Sequence, residues 1–322
     1  MILAFILLIA GFLLLVKGAD VFVDGSAGIA RYLKIPPIVI GLTIVAFGTS
    51  APEAAVSIIA GIKGSNDMAV GNVIGSNMFN LLGVLGISAL IKPVNVDVQI
   101  VKKEFPFMLA ATAVFVLSAF DAALGGGTQN IISRNEAFIL LILMAIFLYS
   151  VITFALNSRR ENSLQDSDTG GKLQSLPKCI LLTVCGLAGI IVGGQLVVDN
   201  ASSIAIHFGM SETLTGLTIV AVGTSLPELV TSIAAARKGE SDIAIGNVVG
   251  SNVFNILFVL AASAAITPMN INGQGLCDLL ILIAVSVMAY IFCVTKKTIN
   301  RAEGGILTVM YAAYMTLAII RE

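Results

Sequence analysis

Tryptophan is absent from this chain of 322 residues, histidine occurs once, and only 11% of the residues are charged. Soluble chains carry about 25% charged residues, so the shortage excludes an ordinary water-facing surface. The lone histidine, His207, leaves no His-based metal motif, and no aspartate falls in the middle of an apolar run. Metalloprotease and aspartyl-protease chemistries therefore lack their residues, and neither an enzymatic activity nor a resident cofactor is expected. The four cysteines, Cys179, Cys185, Cys277 and Cys293, stand at spacings unlike any metal-binding pattern and read as small apolar residues. No nucleic-acid partner is expected.

What the chain does have is apolar side chains, 57% of the total. A membrane-spanning helix needs about 20 such residues in a row. Runs of that kind lie near residues 2–17, 37–62, 69–91, 105–120, 136–156, 179–198, 212–236, 244–267, 277–295 and 304–320. A spanning β-barrel would instead show short alternating strands of about 10 residues. The sequence thus predicts an all-α membrane protein of ten transmembrane helices, with the lipid bilayer as its surroundings. The first run has no basic residue ahead of it, unlike a secretory signal, and is expected to be retained.

Fifteen of the eighteen lysines and arginines fall in loops that follow odd-numbered runs, leaving only Lys63, Arg134 and Arg321 on the other side. The positive-inside rule then puts the odd loops in the cytoplasm and both termini outside a cell membrane. The oligomeric state stays open, a monomer being compatible with everything read so far.

Sliding the chain against itself by 175 residues aligns 41–85 with 216–260, and 29 of the 45 positions are identical. Both copies carry a GTSxPE motif followed by GNxxGSNxFN. Weaker similarity continues upstream, where residues 18–30 face 193–205. Five runs per half is an odd number, so the second copy must enter the membrane from the opposite side. Two inverted five-helix repeats are expected, 1–156 and 179–322, joined by a polar cytoplasmic linker at 157–178.

Glu53 and Glu228 are the two carboxylates that fall well inside apolar runs, at equivalent repeat positions. An ionisable group at that depth costs about 2.5–3.5 kcal/mol and usually faces a cavity or an ion pathway. Each is preceded by a proline, which removes a helical donor and frees the carbonyl four residues earlier. Pro52 and Pro227 should therefore open the helix and aim carbonyl oxygens such as those of Ala46 and Phe47, or Ala221 and Val222, into one region. Thr49, Ser50, Glu53 and Ser57 share a helical face, as do Thr224, Ser225, Glu228 and Ser232. Asn72, Ser76 and Asn80 are spaced four apart on the next run, and Asn247, Ser251 and Asn255 repeat the stripe. Oxygen ligands of this type suit hard cations.

A plainer reading also exists, since Ser50-Ala51-Pro52-Glu53 fits a capping box in which the glutamate serves only a helix end. Gly71 and Gly75, like Gly246 and Gly250, read as small residues for close helix packing, and Asn77 and Asn252 as interhelical hydrogen-bonding groups.

The paired motifs resemble the α-repeats of the cation/Ca²⁺ exchanger superfamily, specifically its prokaryotic Na⁺/Ca²⁺ exchanger branch. That resemblance implies that Glu53 and Glu228 coordinate Ca²⁺. It further implies that Thr49, Ser50, Ser76, Asn80, Thr224, Ser225, Ser251 and Asn255, with the carbonyls of Ala46 and Ala221, complete the Ca²⁺ and Na⁺ sites. Asn255 stands where some relatives carry aspartate, which leaves two carboxylates and implies K⁺-independent exchange. Na⁺/Ca²⁺ antiport by alternating access is the expected function, with Ca²⁺/H⁺ antiport and, more distantly, a cation channel as alternatives.

Overall fold

The computed structural model describes residues 1–120, 130–164, 175–210, 215, 219 and 221–321. Long apolar runs without internal breakers form the straight helices α1 (Ile2–Leu33), α6 (Arg134–Leu164), α7 (Leu176–His207), α11 (Gly273–Lys296) and α12 (Arg301–Ile320). Between α1 and α6 lie α2 (Pro37–Thr49), α3 (Ala51–Ile62), α4 (Asn66–Ile91) and α5 (Phe105–Ala119). Between α7 and α11 lie α8 (Ala221–Thr224), α9 (Leu226–Lys238) and α10 (Ser241–Ile266).

Among the described residues, seven helices are long and apolar enough to span a membrane, and the pair α2 and α3, bent by 49°, makes an eighth. The expected count of ten differs for two local reasons. At 15 residues α5 is short, although a π-helical turn at Ile100–Glu104 runs directly into it. The run expected at 212–236 is broken at Ser225, and most of its first part lies outside the described residues. The linker expected at 157–178 is shorter than the sequence suggests, because α6 continues to Leu164 and α7 begins at Leu176. His207 is the last residue of α7.

The proline motifs break their helices as predicted. Proline has no N–H to donate, so the backbone turns at Ser50 (φ −83°, ψ 7°) and Ser225 (φ −94°, ψ 7°), and new helices start one residue later. The capping box is not formed there: neither serine side chain caps its helix. A capping box does occur at α12, where Asn300 and Glu303 bond reciprocally with each other's backbone N–H groups.

The two halves interlock. Strand β1 (Val94–Asn95) pairs antiparallel with β4 (Thr298–Ile299), and β2 (Ile131–Ile132) with β3 (Met269–Asn270), so each two-stranded clasp joins one half to the other. The crossing of α1 with α7 is antiparallel and lined by glycine. A Cβ on Gly18 would stand 2.8 Å from the Ile190 nitrogen, and one on Gly186 only 2.4 Å from the Phe22 nitrogen. Gly250 likewise lies against Ala46 and Leu42, which bears out the packing role read for the second glycine pair. No described residue lies within 4 Å of a Cβ on Gly71 or Gly75, whose repeat-equivalent neighbours at 216–221 fall largely outside the described residues. Helices α4 and α10 occupy the centre, with 78% and 94% of their most apolar windows buried, against 22% for α1 and 33% for α7.

Candidate functional site

The break at Ser50 ends α2 and starts α3, so Thr49, Ser50, Glu53 and Ser57 face inward, and all four are buried. The break at Ser225 does the same for Ser225, Glu228 and Ser232, which are likewise buried together with Thr224. Helices α4 and α10 bring Ser76 and Asn80, and Asn247, Ser251 and Asn255, into the same buried zone. Asn80 and Asn255 sit at the starts of matching π-helical stretches, with π turns over Phe79–Val84 and Asn255–Leu260. Such wide turns recur at functional sites because they rotate side chains off the regular helical register. No local sequence signal announces them.

The carboxylates are bonded crosswise. The Ser50 hydroxyl donates to Glu228 Oε1 at 2.7 Å, and the Ser225 hydroxyl donates to Glu53 Oε1 at 2.8 Å. Ser225 also lies 3.2 Å from the Ser76 hydroxyl. Each serine thus serves the opposite half's glutamate, although Ser50 and Glu53 are neighbours in sequence. A hydroxyl bonded to a carboxylate makes one of the stronger side-chain hydrogen bonds.

Two asparagines hold the glutamate-bearing helices in place. The Asn72 amide donates to the Glu53 carbonyl at 3.2 Å and to Ser57 Oγ at 2.8 Å. Its repeat equivalent, Asn247, donates to the Glu228 carbonyl at 3.3 Å and to Ser232 Oγ at 2.9 Å. Asn247 Oδ1 also accepts from Thr49 at 3.0 Å. The helical stripes of the sequence contained Asn72 and Asn247, but only the fold shows that their amides clamp the carboxylate helices.

The Ala46 carbonyl, expected to point into the site, accepts the Ser50 N–H at 3.0 Å within its helix and the Ser251 hydroxyl at 3.4 Å across the interface. The backbone of Ala221 begins α8, and its side chain lies outside the described set. Asn252 plays the interhelical role read for it, its Oδ1 facing the Asn80 amide at 3.5 Å, whereas Asn77 makes no such bond among the described residues.

Several oxygens in this zone are buried without a partner among the described residues: Glu53 Oε2, Glu228 Oε2, Asn80 Oδ1 and Asn255 Oδ1. Leaving a buried charged or polar oxygen unpaired costs several kcal/mol as an order of magnitude. A set of carboxylate, amide and hydroxyl oxygens matches the donors that hard cations take. No group of three or more His, Cys, Asp and Glu residues comes together among the described residues, so the cluster has two acids and otherwise neutral oxygens. One further carboxylate, Glu104 at the foot of α5, is also buried, and it accepts the Gln99 amide at 2.9 Å. The sequence placed it near a span end and gave no sign of its burial.

A helical multi-pass membrane protein with two broken helices and an oxygen-lined acidic pair between them belongs to the class of secondary cation transporters. The chain is a member of the sodium/calcium exchanger protein family, whose model matches residues 3–153 and 178–320. It is 38% identical to the inner membrane protein YrbG of Escherichia coli strain K12, over 98% of this chain and 97% of that one. It is 33% identical to the sodium/calcium exchanger MaX1 of Methanosarcina acetivorans, over 97% of each chain. The solved structure of the sodium-calcium exchanger NCX_Mj soaked with 10 mM Na⁺ and zero Ca²⁺ matches with a TM-score of 0.83, 30% identity and 98% coverage of both chains. The chain is therefore a membrane-embedded cation/Ca²⁺ antiporter of the prokaryotic exchanger family.

Proposed function

We propose that this antiporter exchanges Na⁺ for Ca²⁺ by alternating access at one midplane site built on Glu53 and Glu228. The observation that carries the reading is the crossed arrangement: each glutamate accepts at one oxygen from the other half's serine, and its Oε2 has no partner among the described residues. Two such oxygens, with the amide oxygens of Asn80 and Asn255 nearby in the same buried zone, offer a divalent cation its charge balance and its hard donors. Thr49, Ser50, Ser76, Thr224, Ser225, Ser251 and the Ala46 and Ala221 carbonyls supply the neutral remainder for Ca²⁺ and Na⁺. Two carboxylates balance one Ca²⁺ or two Na⁺, so the ions compete for one set of charges, and that competition is the coupling. Asn255, in place of a third acid, supports exchange that needs no K⁺.

The 175-residue duplication and the antiparallel crossing of α1 with α7 support a reading of ten spans in two inverted repeats. The cation distribution supports both termini outside and the connection between α6 and α7 in the cytoplasm. Vesicles loaded with Na⁺ and diluted into Na⁺-free medium should accumulate Ca²⁺. Uptake that follows a pH gradient and ignores Na⁺ would move the protein to Ca²⁺/H⁺ exchange, and a conductance without coupling would make it a channel.

A further inference from the structure

The α1 and α7 crossing is backbone against backbone. At Gly18, Gly186 and Gly193 a Cβ would fall within 3 Å of main-chain atoms of the partner helix. A glycine seam has few interdigitating side chains to set its register along the helix axis. Both helices are also the thinly buried ones, so their position against the carboxylate-bearing centre must be set elsewhere.

At one end of the molecule it is set by charge. Asp20, Asp24 and Arg31 lie on one stripe of α1, at steps of four and seven residues. Lys238, the last residue of α9, reaches across with its Nζ 2.7 Å from Asp24 Oδ1, 3.9 Å from Asp20 Oδ1 and 2.7 Å from the Asp20 carbonyl oxygen. Arg31 pairs with Glu240, two residues beyond Lys238. Gly239, at φ 82°, ends α9 between these two contacts in the left-handed conformation that glycine adopts without strain. The ties therefore connect α1 directly to the helix that carries Ser225 and Glu228.

The other repeat keeps only part of them. At the 175-residue offset Asp20 becomes Gln195, Arg31 becomes Ile206 and Glu240 becomes Ser65, while Asp199 and Lys63 keep the charges of Asp24 and Lys238. Gln195 donates to Asp199 within α7 at 2.7 Å, and Lys63 makes no ion pair among the described residues. A second difference agrees. A cavity of about 340 Å³ opens beside α7, lined by Val197, Val198, Ile219, Val222, Gly223 and Leu226. On the α1 side Val23, the residue equivalent to the half-buried Val198, is fully buried.

We propose that Asp20, Asp24, Arg31, Lys238 and Glu240 form a one-sided ion-pair latch that ties α1 to α9 and biases the exchanger toward the conformation closed on that face. The proposal rests on the alternating-access reading above. The latch residues are positioning residues: they touch no transported ion and act by setting where α1 sits. Exposed ion pairs are individually weak, so the latch tilts an equilibrium and does not lock it.

The test uses full-length protein in oriented vesicles, with the exposed Cys185 and Cys277 replaced by serine and Ala235→Cys placed at the buried α1/α9 interface. A membrane-impermeant thiol reagent added on the Lys238 side should label this cysteine about three- to tenfold faster in Lys238→Gln or Asp24→Asn than in the parent. The exchanged pair Asp24→Lys with Lys238→Asp should return labelling to near the parent rate, and it guards against a single variant that fails to fold. Equal labelling in all variants, or a swapped pair that stays as open as the single changes, overturns the latch. Parent protein that shows no Na⁺-driven Ca²⁺ uptake overturns the transport reading instead, and the two failures are told apart by measuring both in the same vesicles.

Discussion

At the buried centre the two halves of the molecule treat their glutamates alike. Ser225 serves Glu53 and Ser50 serves Glu228 at nearly the same distance, and Asn72 and Asn247 each clamp one carboxylate helix. At the periphery they part. Helix α1 is tied to α9 by Lys238 and Glu240, while Gln195 and Asp199 on α7 turn toward each other. The ion site proposed at the junction would need matched donors from both sides. The second pattern shows that the duplicated halves diverge at their peripheral contacts.

The equivalence of the halves is broken most severely by their glutamates. Glu53→Gln and Glu228→Gln should each reduce Na⁺-driven Ca²⁺ uptake to background, read as isotope accumulation in vesicles. Full activity in either variant would show that only one half binds. Next come the crossed serines. A hydrogen bond to a charged group contributes about 1.5–3 kcal/mol, so Ser50→Ala and Ser225→Ala should each raise the half-saturating Ca²⁺ concentration roughly 10- to 100-fold. A much larger effect for one serine would show that the crossed bonds are unequal.

The glycines sharpen the contrast from the side of stability. A Cβ on Gly250 would stand 2.8 Å from the Leu42 carbonyl oxygen, so Gly250→Ala should destabilise by about 1–3 kcal/mol through overpacking and lower the melting temperature in detergent. Gly246→Ala, whose Cβ would stand 3.1 Å from the Gly41 Cα, should lower it less. The smallest difference is expected at the clamps. Asn247 is fully buried, whereas Asn72 is half-buried. Asn247→Ala should therefore weaken Ca²⁺ uptake about thirtyfold and Asn72→Ala about tenfold, within the roughly 1–3 kcal/mol cost of orphaning buried polar groups. Equal losses would mean that the difference in burial is neutral.

Much of this was legible from the residues alone, because the determining physics is local. Long apolar runs become helices in lipid, proline breaks them where its missing N–H falls, and a spacing of three and four puts Thr49, Ser50, Glu53 and Ser57 on one face. The duplication at 175 residues made the second site readable from the first. Other features depend on residues far apart in the chain. Ser50 sits three residues from Glu53 in a motif that reads as a capping box, yet its hydroxyl goes to Glu228, 178 positions away. The two-residue strands of the clasps are too short to show any periodicity, the π turns at Asn80 and Asn255 have no local signature, and the burial of Glu104 follows from what packs over it. The sequence by itself determined the helices, their breaks and which oxygens face inward. Only the tertiary structure decided which half serves which carboxylate and which end of α1 is tied down, since periodicity orders neighbours along a helix and is silent about the partner across the interface.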